Sequence, residues 1–165
     1  MMPEHRIKTI EELEEICRDR GESKIVTTNG CYDLIHRGHI TTFHRAKKYG
    51  DILIVGVNSD ESVRRYKTTN RPVMNEWERA YVVASIKGVD YVTVFNEDTP
   101  IEMLERLKPN FHVKSKSGYK GTEKEVVEKH GGRIVLVNDI HGLSSGDLVR
   151  MAGKIYIKDE LYKEI

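Results

Sequence analysis

Two cysteines, Cys17 and Cys31, are all that 165 residues contain. Their spacing fits neither a CxxC pair nor a zinc ligand set, so a disulfide framework and a zinc cluster are excluded. Long hydrophobic runs are missing too. No stretch approaches the ~18 consecutive apolar residues of a membrane span, and the opening MMPEHRIKTIEELEE is too polar for a signal peptide. A cytoplasmic protein without a membrane partner is expected. An excess of positive charge is also lacking: 27 lysines and arginines face 26 acids, a net charge of +1. A general nucleic-acid binder would carry a strongly basic face, so nucleic acid is not an expected partner. Neither GxGxxG nor GxxxxGK occurs, which removes the usual sequence support for hydride transfer on a dinucleotide and for P-loop kinase chemistry.

What is present is an ordinary globular composition, with 32% charged and 38% hydrophobic residues. The length suits one domain that buries roughly 70% of the surface its unfolded chain exposes. Thr9 and Glu12 have capping-box spacing, and Ile10, Leu13, Ile16 and Cys17 recur at helical intervals behind them. The chain therefore starts with a helical extension over residues 1–23. Five short apolar runs follow, Lys24–Thr28, Ile52–Val57, Tyr91–Phe95, Phe111–Val113 and Ile134–Val137, each rich in β-branched or aromatic residues. Amphipathic stretches at Ile40–Tyr49, Glu76–Ile86, Ile101–Leu107 and Lys124–Lys129 alternate with them. Alternation of this kind implies an α/β fold, a Rossmann-like doubly wound sheet of five parallel strands with helices on both faces. That domain is expected over 24–151, with a polar tail at 152–165 that packs as a last helix or frays.

In a doubly wound sheet a ligand lies at the carboxyl ends of the strands, which directs attention to the loop after the first run, TNGCYDLIHRGH. His36, Arg37, Gly38 and His39 open a helical pattern there. Histidines three apart in a helix's first turn point the same way, Gly38 lets a ligand approach the backbone, and the free N–H groups favour an anion. These are the parts of a phosphate site, and imidazole donors there stabilise a phosphate whose charge grows in a transition state. With 7 histidines and 13 glycines in the chain, His-x-Gly-His is expected by chance only about 0.02 times. The bland alternative is a histidine that caps a helix or packs in a core. A zinc site of His36, His39 and His44 has no supporting thiol or carboxylate cluster.

The segments TNGCYDLIHRGH, AKKYGD, VGVNSDESV, RPVMNEWER, VDYVTVFNEDTP, LKPNFHVK, GGRIVLV and GLSS, in that order, resemble the cytidylyltransferase-like nucleotidyltransferases. The likeness is greatest to their heptose-1-phosphate adenylyltransferase branch and covers the chain from about Lys24 to Met151. It implies that a phosphate oxygen of a phosphorylated small-molecule acceptor attacks the α-phosphorus of a nucleoside triphosphate and expels pyrophosphate. It also implies Mg²⁺ carried with the triphosphate and no metal ligands from the protein, and a homodimer. His36 and His39 match the pair that stabilises the α-phosphate. Cys31 and Tyr32 match positions whose amides meet phosphates, and Asn29, Gly30, Gly38, Asn58 and Asp60 count among the nucleotide-binding positions. Asp33 matches an acid near substrate or metal, or it merely caps a turn. Lys47 matches the lysine of AKxxGD, implied in catalysis and substrate binding, or it belongs to a charged helix face. Arg71 and Arg79 match the RPxxxxxxR arginines, suited by their forked donors to phosphate; Arg79 is alternatively a solvated ion-pair residue. Ser144 and Ser145 match a turn that holds the β- and γ-phosphates. Trp77 is either packed or faces a second copy.

Two segments depart from that pattern. Where the heptose branch reads VKGGDY, this chain has Val113 to Lys120 with three lysines, expected to form a lid in which Lys114 recognises the acceptor. After Ser145 come Gly146 and Asp147, an acid beside an expected triphosphate, unfavourable unless it binds a metal or points away. The arginine of the cytidylyltransferases is replaced by Asn138 or Asp139. The missing arginine and the overall likeness to the heptose branch favour ATP and a sugar phosphate, while the altered GLSSGD turn is the one feature that favours a module without turnover. CTP with a polyol, alcohol or phosphonate acceptor is the alternative, followed by a nucleotide-binding module without turnover.

Overall fold

The computed structural model describes residues 2–67, 70–140 and 144–156. Among them five strands form one sheet: β1 (Ile25–Gly30), β2 (Ile52–Asn58), β3 (Tyr91–Phe95), β4 (Phe111–Ser115) and β5 (Arg133–Val137). Their order is β3-β2-β1-β4-β5 and every pairing is parallel. The chain winds outward from β1 to β3, then crosses back to lay β4 on the other side of β1. The resulting crevice opens at the carboxyl ends of β1 and β4.

The helices are α1 (Ile10–Arg18), α2 (Arg37–Lys47), α3 (Asp60–Tyr66), α4 (Glu76–Ala84), α5 (Ile101–Leu107), α6 (Lys124–Lys129) and α7 (Ser145–Tyr156). Because side chains alternate along a strand, each strand feeds two cores. Val26, Leu53, Val55, Val57 and Val113 pack against Phe43 and Ala46 of α2 and Ala80, Val83 and Ala84 of α4. On the opposite face Ile25 and Ile54 meet Leu13 of α1, Leu104 and Leu107 of α5, and Val126 and Val127 of α6.

The expected five parallel strands are present, with two extensions that bear on the site. β1 continues through Asn29 and Gly30, and β4 through Lys114 and Ser115; polar residues end both strands, so an apolar run undercounts them. α2 begins at Arg37 rather than Ile40 because His36 caps it. α3 was not anticipated; its seven residues are too few to show helical periodicity, and Ser59 caps it by accepting from Ser62 N. α7 runs across Met151 to Tyr156, and the rest of the expected tail, 157–165, lies outside the described residues. Among the described residues no helix is long and apolar enough to cross a membrane.

The N-terminal segment is fastened to this body at several points. Thr9 and Glu12 form the expected capping box, Lys8 N donates to the Val92 carbonyl at 2.8 Å, and Arg106 of α5 reaches Glu11 and Glu14 at 2.9 and 2.7 Å. Leu13 has no solvent exposure. Leu13→Ala should therefore lower unfolding free energy by about 2–5 kcal/mol, the cost of truncating a core leucine. Urea denaturation checks this, and an unchanged midpoint would remove α1 from the core.

Candidate functional site

A cleft of about 620 Å³ lies at the carboxyl ends of β1 and β4, walled by the loop after β1, the first turn of α2, the end of β4 and the start of α7. His36 and His39 stack within it, ring centroids 3.9 Å apart and 29° from parallel. Local backbone geometry sets them. His36 is the N-cap of α2, and its Nδ1 accepts from Gly38 N at 3.1 Å; His39 Nδ1 accepts from His36 N at 3.4 Å. A ring nitrogen that accepts is unprotonated, which assigns each proton to Nε2. Gly38 is required for this arrangement, since a Cβ there would sit 2.9 Å from the His36 ring.

Both imidazoles are held neutral. Burial pushes His39 down to about 4, helped by neighbouring His36 and Lys67, and burial lowers His36 against the pull of Asp147. The first turn of α2 contains no acid, so the positive end of the helix dipole is not neutralised there and favours an anion, although the Gly38 amide is taken by the His36 ring. Lys67, at the end of α3, also lines the cleft. The lysine was passed over in the sequence because it follows Arg64 and Arg65 in what reads as a basic surface run. The available signal is its place in the connection from β2 to β3, which starts at the carboxyl ends of the strands.

Asn29, Gly30, Cys31, Tyr32, Asp33, His36, Gly38, His39, Lys114, Ser144 and Ser145 all line the cleft. Five expected site residues do not. Lys47 sits at the far end of α2, about 15 Å from the histidines at 1.5 Å per residue, where its ammonium binds Asp90 at 2.5 Å and the Asp51 carbonyl. The expectation of a catalytic Lys47 is thus corrected: it anchors the helix at the opposite edge of the sheet. Arg79 has no solvent exposure, and its guanidinium is committed to the carbonyls of Met74, Cys31 and Asn58 and to Asp60 Oδ1. Neither a phosphate ligand nor a solvated ion pair, it braces the cleft from behind. Asn58 and Asp60 belong to that brace, Asn58 also donating to Ser62 Oγ at 3.0 Å. Arg71 spends its charge on Asp33 at 2.8 Å.

Asp33 itself is 2% exposed and accepts from Arg71 and from the amides of Val73 and Met74 at 2.7 and 3.1 Å. These bonds hold its carboxyl below the ordinary value even though burial opposes them. Asp33 is a latch for the segment that precedes α4. Asp147 is similarly committed. Its carboxylate accepts from Ser144 N and Oγ at 3.0 and 2.6 Å and pairs with Arg150, so the acid beside the serine turn caps α7 and the only sequence feature that favoured a module without turnover has a structural cause.

The basic lid expected from Lys114 to Lys120 is also revised. Lys114 is part of β4, donating to Asn29 Oδ1 at 2.9 Å and paired with buried Glu123 at 3.5 Å. Ser115, Ser117 and Gly118 line the cleft instead of Lys116 and Lys120. The turn is closed by Gly118 N to the Ser115 carbonyl at 3.1 Å and tied to Asp139 through Ser117. It is a tethered turn. Thr28, Thr42, Asp139 and Ile140 complete the lining without having been expected as site residues; no local pattern sets them apart before the fold is known.

Comparison with known proteins gives a consistent result. Residues 27–165 match the family described as cytidylyltransferase-like. A bifunctional protein HldE of Campylobacter curvus is 46% identical over 151 residues, 89% of this chain and 31% of that protein. HldE of Nitratiruptor sp. is 46% identical over 150 residues, 88% of this chain and 32% of that protein. The chain thus spans about a third of the length of these relatives. Among solved structures, a lipopolysaccharide core biosynthesis protein from Thermoplasma volcanium superposes with a TM-score of 0.59 at 24% identity, covering 72% of this chain and 97% of that one. A pantoate-beta-alanine ligase from Francisella tularensis superposes with a TM-score of 0.59 at 14% identity, covering 96% of this chain and 81% of that one. Likeness at those identities shows the fold.

The buried histidines make stability depend on pH. His39 is lowered to about 4, and fully buried His112, bonded through Nδ1 to Thr27 at 2.8 Å, is lowered to about 3. Both take up a proton at about 6.5 once unfolded. Below that pH the unfolded state binds more protons, so their contribution is full above about 6.5 and is lost as pH falls toward 4. The urea midpoint should fall between about pH 7.5 and 5, and the NMR titration of His39 Cε1–H should lie well below an ordinary histidine's. A His39 midpoint near 6.5 contradicts the assignment.

Proposed function

The chain belongs to the cytidylyltransferase-like family, and from that membership we propose that it transfers a nucleoside monophosphate from ATP to a sugar phosphate such as heptose 1-phosphate, releasing pyrophosphate. The observation that carries this reading is the stacked pair of neutral imidazoles, each with its Nε2–H free, at the N-terminus of α2, whose first turn holds no acid. A phosphate oxygen of the acceptor attacks the α-phosphorus, the bond to the bridging oxygen breaks, and the electron pair leaves with pyrophosphate. Charge accumulates on the α-phosphate oxygens, where the two Nε2–H donors and Lys67 meet it. No covalent intermediate with the protein is involved. The loop amides around Cys31 and Tyr32 and the start of α7 at Ser144 and Ser145 hold the remaining phosphates.

Lys114 holds the acceptor in this reading, because an ammonium with partners in Asn29 and Glu123 keeps a third N–H to give. Mg²⁺ would be held by oxygens of the triphosphate and by water. The carboxylates of Asp33, Asp139 and Asp147 are engaged by Arg71, Ser117 and Ser144, and no cluster of three potential ligands occurs among the described residues. The ion's contribution is to neutralise triphosphate charge. We further place the protein in the cytoplasm, where nucleoside triphosphates are made. We also read it as a homodimer, with Val73 and Trp77, 62% and 52% exposed, at the contact between copies.

His36→Ala and His39→Ala should each cut kcat by about 10²–10³-fold, the usual consequence of deleting one transition-state donor, with nucleotide affinity less affected. Pyrophosphate release from ATP and sugar phosphate, measured beside a thermal melt, decides; wild-type turnover in a folded variant would sink the mechanism. ATP should also exceed CTP at least tenfold in kcat/KM, about 1.4 kcal/mol of discrimination. A preference for CTP of that size would make the chain a cytidylyltransferase.

A further inference from the structure

We propose that the aromatic ring of Tyr32 is the positioning element for His39, wedged between the end of β1 and α2 so that the imidazole keeps one orientation toward the cleft. The backbone singles this residue out. Tyr32 adopts φ 52°, a left-handed conformation that tyrosine visits rarely and that glycine or asparagine would enter with less strain. A bulky side chain retained at such a position indicates that the side chain is needed there.

Its surroundings indicate what for. Tyr32 is 6% exposed, with its ring centroid 5.3 Å from that of His39 at 82°, an edge-to-face contact, and 5.1 Å from Phe43 at 60°. β1 backs the ring from behind: a Cβ on Gly30 would lie 3.0 Å from Tyr32 Cζ and 3.2 Å from Cε1. His39 has few other restraints. Its Nδ1 bond to His36 N is long, at 3.4 Å, and His36 stacks on it from the cleft side while being capped independently through Gly38 N. Without the Tyr32 edge the His39 ring is free to rotate and water reaches its buried side. The phenol takes no part in proton transfer, since burial raises it far above its ordinary range. The ring acts through shape.

Charged and titratable groups near His39 are His36 on its own helix, Lys67 at the end of α3, and Asp147 of α7 beyond His36. Removing the Tyr32 ring changes none of them. A shift in His39 titration after that removal therefore reports lost packing and admitted water. Only the kinetic half of the test rests on the nucleotidyl-transfer reading; the titration is measured on the protein without substrate.

The experiment compares Tyr32→Leu and Tyr32→Phe with wild type by steady-state kinetics, thermal melt and NMR titration of His39. Tyr32→Leu should lower kcat by about 10²-fold, as misplacement of a reacting group does, while KM for ATP stays within about threefold. Its His39 midpoint should climb from about 4 toward the ordinary 6.5. Tyr32→Phe should restore both, because it keeps the ring and loses only the hydroxyl. Should Tyr32→Leu fail to fold, Gly30→Ala presses a methyl group onto the same ring and should shift the His39 titration in the folded protein. An unchanged His39 midpoint in the leucine variant, or in Gly30→Ala where that variant stands in, overturns the proposal, as does failure of phenylalanine to restore it. If His39→Ala retains full turnover while the titration shifts as expected, the functional reading fails and the positioning stands.

Discussion

A guanidinium with no access to solvent governs the cleft side of this molecule. Burying a charge is costly unless every donor finds a partner, and removing a partner from such a group costs more than the group itself contributes. Arg79 meets the requirement with three backbone carbonyls and one carboxylate. Those partners come from the loop after β1, the end of β2, the first residue of α3 and the segment leading into α4. Three stretches of chain, around Cys31, Asn58 to Asp60 and Met74, are thereby fixed around one planar cation, and the loop that carries Cys31 and Tyr32 is among them. The latch from Asp33 to Arg71, Val73 and Met74 closes the same segment from the other side.

Polar residues elsewhere in the cleft wall are ordered by strand register. β1 pairs with β4 so that Thr27 lies opposite His112, which carries Asn29 beside Lys114 at the strand ends. The hydrogen bonds follow that register, Thr27 to His112 within the sheet and Lys114 to Asn29 at the cleft. Glu123, at the cap of α6, supplies the counter-charge to the lysine. Polar groups thus run from the core to the cleft along two neighbouring strands, paired across them as Thr27 with His112 and Asn29 with Lys114, with the buried His112 Nε2 left without a partner among the described residues.

The sequence could convey what depends on neighbouring residues and little of what depends on distant ones. Parallel strands declare themselves as short apolar runs, and α5 and α6 fall on the residues their amphipathic patterns indicate. His36 and His39 were legible because a single helical turn brings them together. Asp33, Arg71 and Arg79 are visible as residues of consequence, yet apart from Met74, five residues from Arg79, their partners lie 19 to 48 positions away, beyond any local pattern. Motif likeness assigned them to ligands, and the fold assigns them to one another. Lys47 was misread for a related reason: its motif is contiguous with the histidine segment, but an intervening helix carries it to the other edge of the sheet.

That helix is held through its C-terminal half. Lys47 joins its last turn to Asp90 and the Asp51 carbonyl, and Arg45 reaches the Asn138 carbonyl at 2.7 Å, while Phe43 and Ala46 are sunk in the core. Mechanically α2 is a beam clamped over its C-terminal half, with the donors carried at its tip. A dipole array that cannot relax does not have to be reorganised when charge appears in front of it, so its field is available at full strength from the start.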